Sequence, residues 1–193
     1  MADYEALAAL RSGPATWNEW LLHRATTGTV DLSSLDLSGM NLSTADFSGA
    51  DLRWTGLRES NCESCSFRKT DLMGANLRNA RLMKADFREA DLRWTHFIEA
   101  DLRGADLRGA LLQGSIMLKT DLRGADLTGA RIFGVSVWGV VLDAETRQSD
   151  LIITSLAEPT ITVDNLEVAQ FVYLLLNNEK IREVIDTLTT KPF

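Results

Sequence analysis

Chemistry in this chain would be sought first at its cysteines, histidines and carboxylates. Cys62-Glu-Ser-Cys65 has the spacing of a redox CxxC or of half a zinc site. The chain holds only two cysteines and two histidines, so no second pair completes a tetrahedral metal site. His23 and His96 fall in different elements and in no recognisable nucleophile or metal motif. No phosphate-binding, dinucleotide-binding or serine-hydrolase signature (GxxxxGK, GxGxxG, GxSxG) occurs. Aspartates are frequent, but they are evenly spread, as corner residues are, and not paired as general acid–base catalysis requires. The expectation is a protein without catalytic residues, cofactor, metal or small-molecule substrate.

That even spacing reveals the element that carries these residues. From Val30 to Leu142 the chain reads in fives, as in Ala45-Asp-Phe-Ser-Gly and Ala100-Asp-Leu-Arg-Gly. The central residue of each unit, from Leu32 to Leu142, is apolar at all 23 positions: 15 Leu, four Phe, and Cys62, Met117, Ile132 and Val137. In a chain that is 45% hydrophobic chance gives such a run roughly once in 10⁸ trials. Two residues earlier stand 11 Ala and seven Ser, Thr or Cys, and the residue between is Asp or Asn in 14 units. Ten of the 13 glycines fall two places after the central residue. Cys62 and Cys65 occupy a central and a small inward position, which assigns both to the core.

A period of five matches neither helix nor flat strand. It suits a coil that turns a corner every five residues, with four corners closing a square coil of 20. Longer repeats agree: Asp101-Leu-Arg-Gly-Ala-Asp-Leu recurs at Asp121, and Asp51-Leu-Arg-Trp-Thr recurs at Asp91. Stacked about 4.8 Å apart, the coils make a rod on the order of 25–30 Å long. Phe47, Phe67 and Phe87 then form one column, continued by Leu107 and Leu127.

These units match the A(D/N)LxG pattern, and the chain resembles the pentapeptide-repeat proteins over about three fifths of its length. The resemblance implies an all-β solenoid, a right-handed quadrilateral β-helix of five to six coils, and it implies no single function. One role known in the family is mimicry of duplex DNA by acidic rods that bind topoisomerase. Residues 30–142 carry 15 acidic and 14 basic side chains, so this rod is expected neither to mimic nor to bind nucleic acid.

The ends of a solenoid need caps. A short helix is predicted over Tyr4–Arg11, and Thr16-Trp-Asn-Glu19 reads as a capping box starting a second helix near Trp17. Trp17, Trp20 and Leu21 share a face suited to the first coil. This gives a helical cap over residues 1–29, the β-helix over 30–142, a linker over 143–162 and a helical tail over 163–193. In the tail, Asp164 is the predicted cap, Glu167 completes the box and Val163 is the staple. The helix runs Leu166 to Leu176, stops at Asn177-Asn178, and a second follows over Glu179 to Leu188. The tail resembles the linker of longer bacterial pentapeptide proteins that continue into a TIR-like or nucleotide-binding domain. On that resemblance the chain is expected to be the N-terminal scaffold part of a larger bacterial protein, the alternative being the scaffold of a signalling protein whose catalytic TIR-like domain lies beyond Phe193.

The 193 residues and net charge of −7 fit one domain with small appendages and disfavour a basic nucleic-acid surface. The apolar stretch Val168–Leu176 is half of the roughly 18 residues a membrane span needs. No secretory signal is legible, and two cysteines make no disulfide framework, so a reducing cytoplasm is expected. Outward apolar residues crowd two faces of the later coils: Trp94, Ile98, Leu111, Ile116, Leu118, Phe133 and Trp138. With Leu166, Phe171 and Leu175 of the tail they form the expected partner-binding surface of a rigid protein-interaction scaffold. The tail is apolar on too many sides for one contact face, which predicts a homodimer formed through it.

Overall fold

The computed structural model describes residues 4–24, 28–154, 158–178 and 180. In chain order the elements are α1 (Tyr4–Arg11), α2 (Pro14–His23), β1 (Ile116–Leu118), β2 (Ser136–Trp138), β3 (Leu151–Ile152), β4 (Thr162–Val163) and α3 (Leu166–Asn177). Most of the solenoid lies outside these labels, because its strands are single parallel bridges joined by tight turns. Asp31 pairs with Asp51, Asp51 with Asp71, and so on at a spacing of 20 residues up to Asp121 with Val141. β1 and β2 continue that ladder in parallel, with Ile116 opposite Ser136 and Leu118 opposite Trp138.

The pentapeptide explains its own turn. The central residue's carbonyl accepts from the amide three residues on, as in Ala45 N to Leu42 O at 2.9 Å. Its second successor adopts the left-handed backbone that glycine tolerates best. The Asp or Asn before the central residue accepts from the backbone amide two residues on. All 14 such residues do so, from Asp31 with Ser33 N (3.0 Å) to Asp126 with Thr128 N (3.0 Å). The aspartates are thus side-chain locks on the corners.

The inward columns form the core. The central residues from Leu32 to Val137 are buried, and Leu142 packs partly buried at the end. Small hydroxyls at the alternate inward position donate into the wall: Thr55 to Leu32 O, Thr70 to Phe47 O, Thr95 to Leu72 O and Thr120 to Phe97 O, at 2.7–3.0 Å. Burial of a hydroxyl is thereby offset by a hydrogen bond. Ser115, at the equivalent place, finds no acceptor. Phe47, Phe67 and Phe87 stack with centroids 5.3 and 4.9 Å apart, and Phe97 meets Phe87 edge-on at 6.2 Å. The predicted column is therefore present, and Trp17 extends it at the N-terminal end, 5.5 Å from Phe47.

Both caps differ in detail from the sequence reading. α2 begins at Pro14, not near Trp17: Gly13, at φ 111°, bends the chain into it, and the proline's fixed φ suits the first helical position. Thr16 and Glu19 thus lie within the helix and form no cap. α2 seals the first coil by hydrogen bonds as well as packing. Trp17 Nε1 donates to Asp46 O (2.7 Å), Asn18 Nδ2 to Thr44 O (3.0 Å), and Asp46 N donates to Asn18 Oδ1 (2.9 Å).

At the other end, residues 143–154 are not a linker. Arg147 bridges to Asp126 and Ile152 to Arg131, at a spacing of 21 residues. The coil absorbs one inserted residue between Val141 and Thr146, and Thr146 Oγ1 still donates to Leu122 O (3.0 Å). Asp143 Oδ1 accepts from Gly124 N and so replaces a missing backbone partner. β3 then pairs with β4 antiparallel. α3 is capped by Asn165, which accepts from Val168 N at 2.9 Å. Asp164, the predicted cap, accepts instead from Asp150 N at 2.8 Å. The second tail helix predicted over Glu179 to Leu188 lies, apart from Lys180, outside the described residues.

The corner locks can be separated from the charges. Asp101→Ala removes a turn hydrogen bond and should cost about 1 kcal/mol. Asp101→Asn keeps that bond and loses only an exposed ion pair with Arg103, which should cost a few tenths of a kcal/mol. Chemical denaturation of the two variants checks this order.

Candidate functional site

Cys62 and Cys65 lie in the core, both free and fully buried. Cys65 Sγ donates to Leu42 O at 2.9 Å, as the neighbouring threonines do, and Ser60 Oγ lies 3.4 Å from Cys62 Sγ. The hydrogen bond with Cys62, and then burial, hold the Cys65 thiol far above its ordinary range. A thiolate is the reactive form, so this environment opposes reactivity. Among the described residues no group of three or more His, Cys, Asp or Glu is placed to hold a metal ion. His23 on α2 and His96 on the fourth coil are both exposed.

Six of the outer arginines are paired within their own turn. Arg53, Arg88, Arg93, Arg103, Arg108 and Arg123 each clasp the aspartate two residues before, with Nη2–Oδ2 distances of 2.5–2.7 Å. That clasp holds the carboxyls of Asp51, Asp86, Asp101 and Asp121 below the usual range. Asp31, with the hydroxyl and amide of Ser33 on its carboxylate, falls to about 2. Asp71 goes the other way. Met73 stands where its arginine would be, and partial burial, with Asp91 beside it, raises its pKa.

The expected partner surface divides. Trp94 and Trp138 are 59% exposed and Phe171 61%. Ile98, Leu118 and Trp138 follow one another at the same place in successive coils, with Leu118 directly opposite Trp138 in the β1–β2 ladder. Ile98, Leu111, Ile116, Leu118 and Leu175 are half-buried. Two residues are turned to internal use. Leu166 is fully buried beneath α3 and cannot meet a partner. Phe133 is half-buried and packs edge-on against Tyr173 at 5.0 Å. The reason is that α3 folds back on the last coil. Its Gln170 Oε1 accepts from Val137 N (2.6 Å), and Gln148 Oε1 accepts from Leu166 N (3.0 Å). Those two glutamines were not singled out in the sequence, although Gln170 interrupts an apolar run, which is the signal a buried polar anchor leaves.

What α3 leaves open is a cleft of about 270 Å³ between helix and rod, lined by Val137, Trp138, Gly139, Glu167, Gln170, Phe171 and Leu174. It joins the apolar column of the rod to the outer side of the helix.

The repeats match the family described as pentapeptide repeats, in eight copies over residues 30–61, 55–88 and 90–129. The chain belongs to the pentapeptide-repeat family. Among solved structures it is similar to a pentapeptide-repeat protein of the Arabidopsis thaliana thylakoid lumen, at 35% identity over 53% of this chain and 68% of that one, TM-score 0.46. It is similar also to Rfr23 of the cyanobacterium Cyanothece 51142, at 25% identity over 68% of this chain and 97% of that one, TM-score 0.34. QnrB1, a plasmid-mediated fluoroquinolone resistance protein, matches at 22% identity over 64% and 66% of the two chains, TM-score 0.36. No curated protein matches. No helix among the described residues is long and apolar enough to cross a membrane.

Two predictions follow from these sites. Neither cysteine should react with a thiol reagent before unfolding, and both should react in denaturant; a colorimetric thiol titration reads this directly. Asp71→Asn should raise the melting temperature at pH 7, because a carboxyl with a raised folded pKa weakens the fold once ionised. The advantage should vanish as pH falls through that raised pKa, where the native carboxyl is neutral too.

Proposed function

We propose that the protein is a non-catalytic rigid scaffold for protein–protein interaction, and that it forms a homodimer through its C-terminal tail in the cytoplasm. The observation that carries this is the continuity of exposed apolar surface from the rod onto α3, with Trp138 59% and Phe171 61% exposed across one cleft. Leaving such large side chains in water forgoes roughly 1.5–3 kcal/mol each. α3 already uses Leu166, Ala169 and Gln170 to cap its own rod, so Phe171 and Val168 remain for a second copy.

Charge supports the protein partner over DNA mimicry. The rod's 15 acidic and 14 basic side chains nearly cancel, and six of its arginines are clasped to the aspartate two residues before, which disfavours imitation of a phosphate backbone. The two free cysteines accord with a reducing compartment. The likeness of its tail to the linker of longer pentapeptide proteins supports the rod as the N-terminal part of a larger bacterial protein.

Light scattering at tens of micromolar should give a dimeric mass for the intact chain and a monomeric mass for Phe171→Asp. A monomeric intact chain contradicts the dimer. In DNA supercoiling assays the protein should not inhibit gyrase at sub-micromolar concentration; inhibition there would favour the DNA-mimic reading.

A further inference from the structure

The face built on central residues 52, 72, 92 and 112 carries a feature the repeat does not require. Trp54 and Trp94 occupy the left-handed position of their turns, each at φ 60°. Glycine or asparagine is cheaper there than a bulky side chain. Each indole covers a glycine of the next coil. A Cβ on Gly74 would lie 2.2 Å from both Cε3 and Cζ3 of Trp54 and 2.8 Å from its Cδ2. On Gly114 the distances to the same atoms of Trp94 would be 2.5, 2.5 and 2.9 Å. Equal approach to two bonded ring atoms, with a third little further, puts that point above the ring and not beyond its edge. One face of each indole therefore rests on glycine backbone. The other is open to water, at 61% and 59% residue exposure. Among the described residues the hydrogen-bonded indole is that of Trp17, so the N–H groups of Trp54 and Trp94 remain available as donors.

The two platforms are two coils apart, about 9.6 Å at the spacing of stacked strands. A polyproline II helix repeats every three residues at 3.1 Å each, about 9.3 Å per turn. Prolines three apart would land on successive indoles, and such a segment brings unpaired carbonyls that indole N–H groups can satisfy. The charge also has a sign. Asp51, Asp71 and Asp91 share this face with Arg53 and Arg93 beside them. Asp71, in the same turn as Gly74, has no arginine of its own and meets Arg53 Nε only at 3.6 Å.

We propose that Trp54 and Trp94 form a docking surface for a proline-rich segment of a partner protein, held as a polyproline II helix with a lysine or arginine beside Asp71. This rests on the reading of the rod as a protein-interaction scaffold and names the partner's chemistry. A glycan also stacks on tryptophan, but it needs unengaged polar groups around the ring. The nearest arginines here are clasped to Asp51 and Asp91 at Nε–Oδ1 distances of 2.9 and 2.8 Å.

Fluorescence anisotropy with the full chain tests this, using a labelled twelve-residue Pro-Pro-Lys repeat peptide and a Gly-Gly-Lys repeat of equal charge. The proline peptide should bind saturably and the glycine peptide roughly tenfold more weakly or worse. Trp54→Asn and Trp94→Asn should each weaken binding by roughly tenfold with little change in melting temperature, since asparagine accepts the left-handed turn. Equal binding of the two peptides, wild-type affinity in both variants, or binding of cello- or chitohexaose in place of the peptide would overturn the inference. A chain that dimerises through its tail yet ignores the proline peptide would refute this site alone and leave the scaffold intact.

Discussion

The structure depends on the constancy of its coil length. Each coil is built of backbone groups that meet partners only if the coil above and the coil below hold the same number of residues. From Asp31 to Val141 that number is 20 without exception, and Leu32 N donates to Asp51 O just as Leu122 N donates to Val141 O. A one-residue change would leave a row of strand amides unpaired and move an apolar residue to the outside. The one insertion the fold contains, before Thr146, sits at the end of the rod. There Asp143 stands in for the lost backbone acceptor and Thr146 repeats the hydroxyl contact of earlier coils.

Given that constraint, each residue of the pentapeptide has one physical task. The central Leu or Phe fills the axis, the small residue makes room for it, the Asp or Asn locks the corner, and the left-handed residue turns it. The arrangement leaves the side chains flanking each corner free to vary. Charge, aromatic platforms and apolar columns can therefore be placed on separate faces without altering the core. The caps obey the same demand for backbone partners: Asn18 at one end and Gln170 at the other offer side-chain amides to coil amides.

The inward columns were legible because they report burial at a fixed period, and the phenylalanine column was legible for the same reason. The function of the aspartates was only half legible: their spacing marks corners, but the hydrogen bond they accept is a matter of geometry. The helix starts were misplaced because two plausible caps competed. Pro14 outranked the Thr16 box, and Asp164 was drawn to Asp150, leaving Asn165 to cap α3. The last coil was read as a linker since its apolar pattern fails there; backbone pairing continued where the side-chain signal did not. Leu166 looked like surface in a helix apolar on several sides, and only the docking of α3 shows which side it covers.

A scaffold with separate working faces must be rigid along its whole length, and the shared inter-coil hydrogen bonds make that a single property. Hydrogen–deuterium exchange resolved by peptide tests it most directly. The account predicts slow, uniformly protected amides from the first coil through residue 152, with residues 143–152 protected along with the repeats. Exchange of that segment at the rate of an open chain, or a patchwork of protected and unprotected coils within residues 32–141, would contradict it.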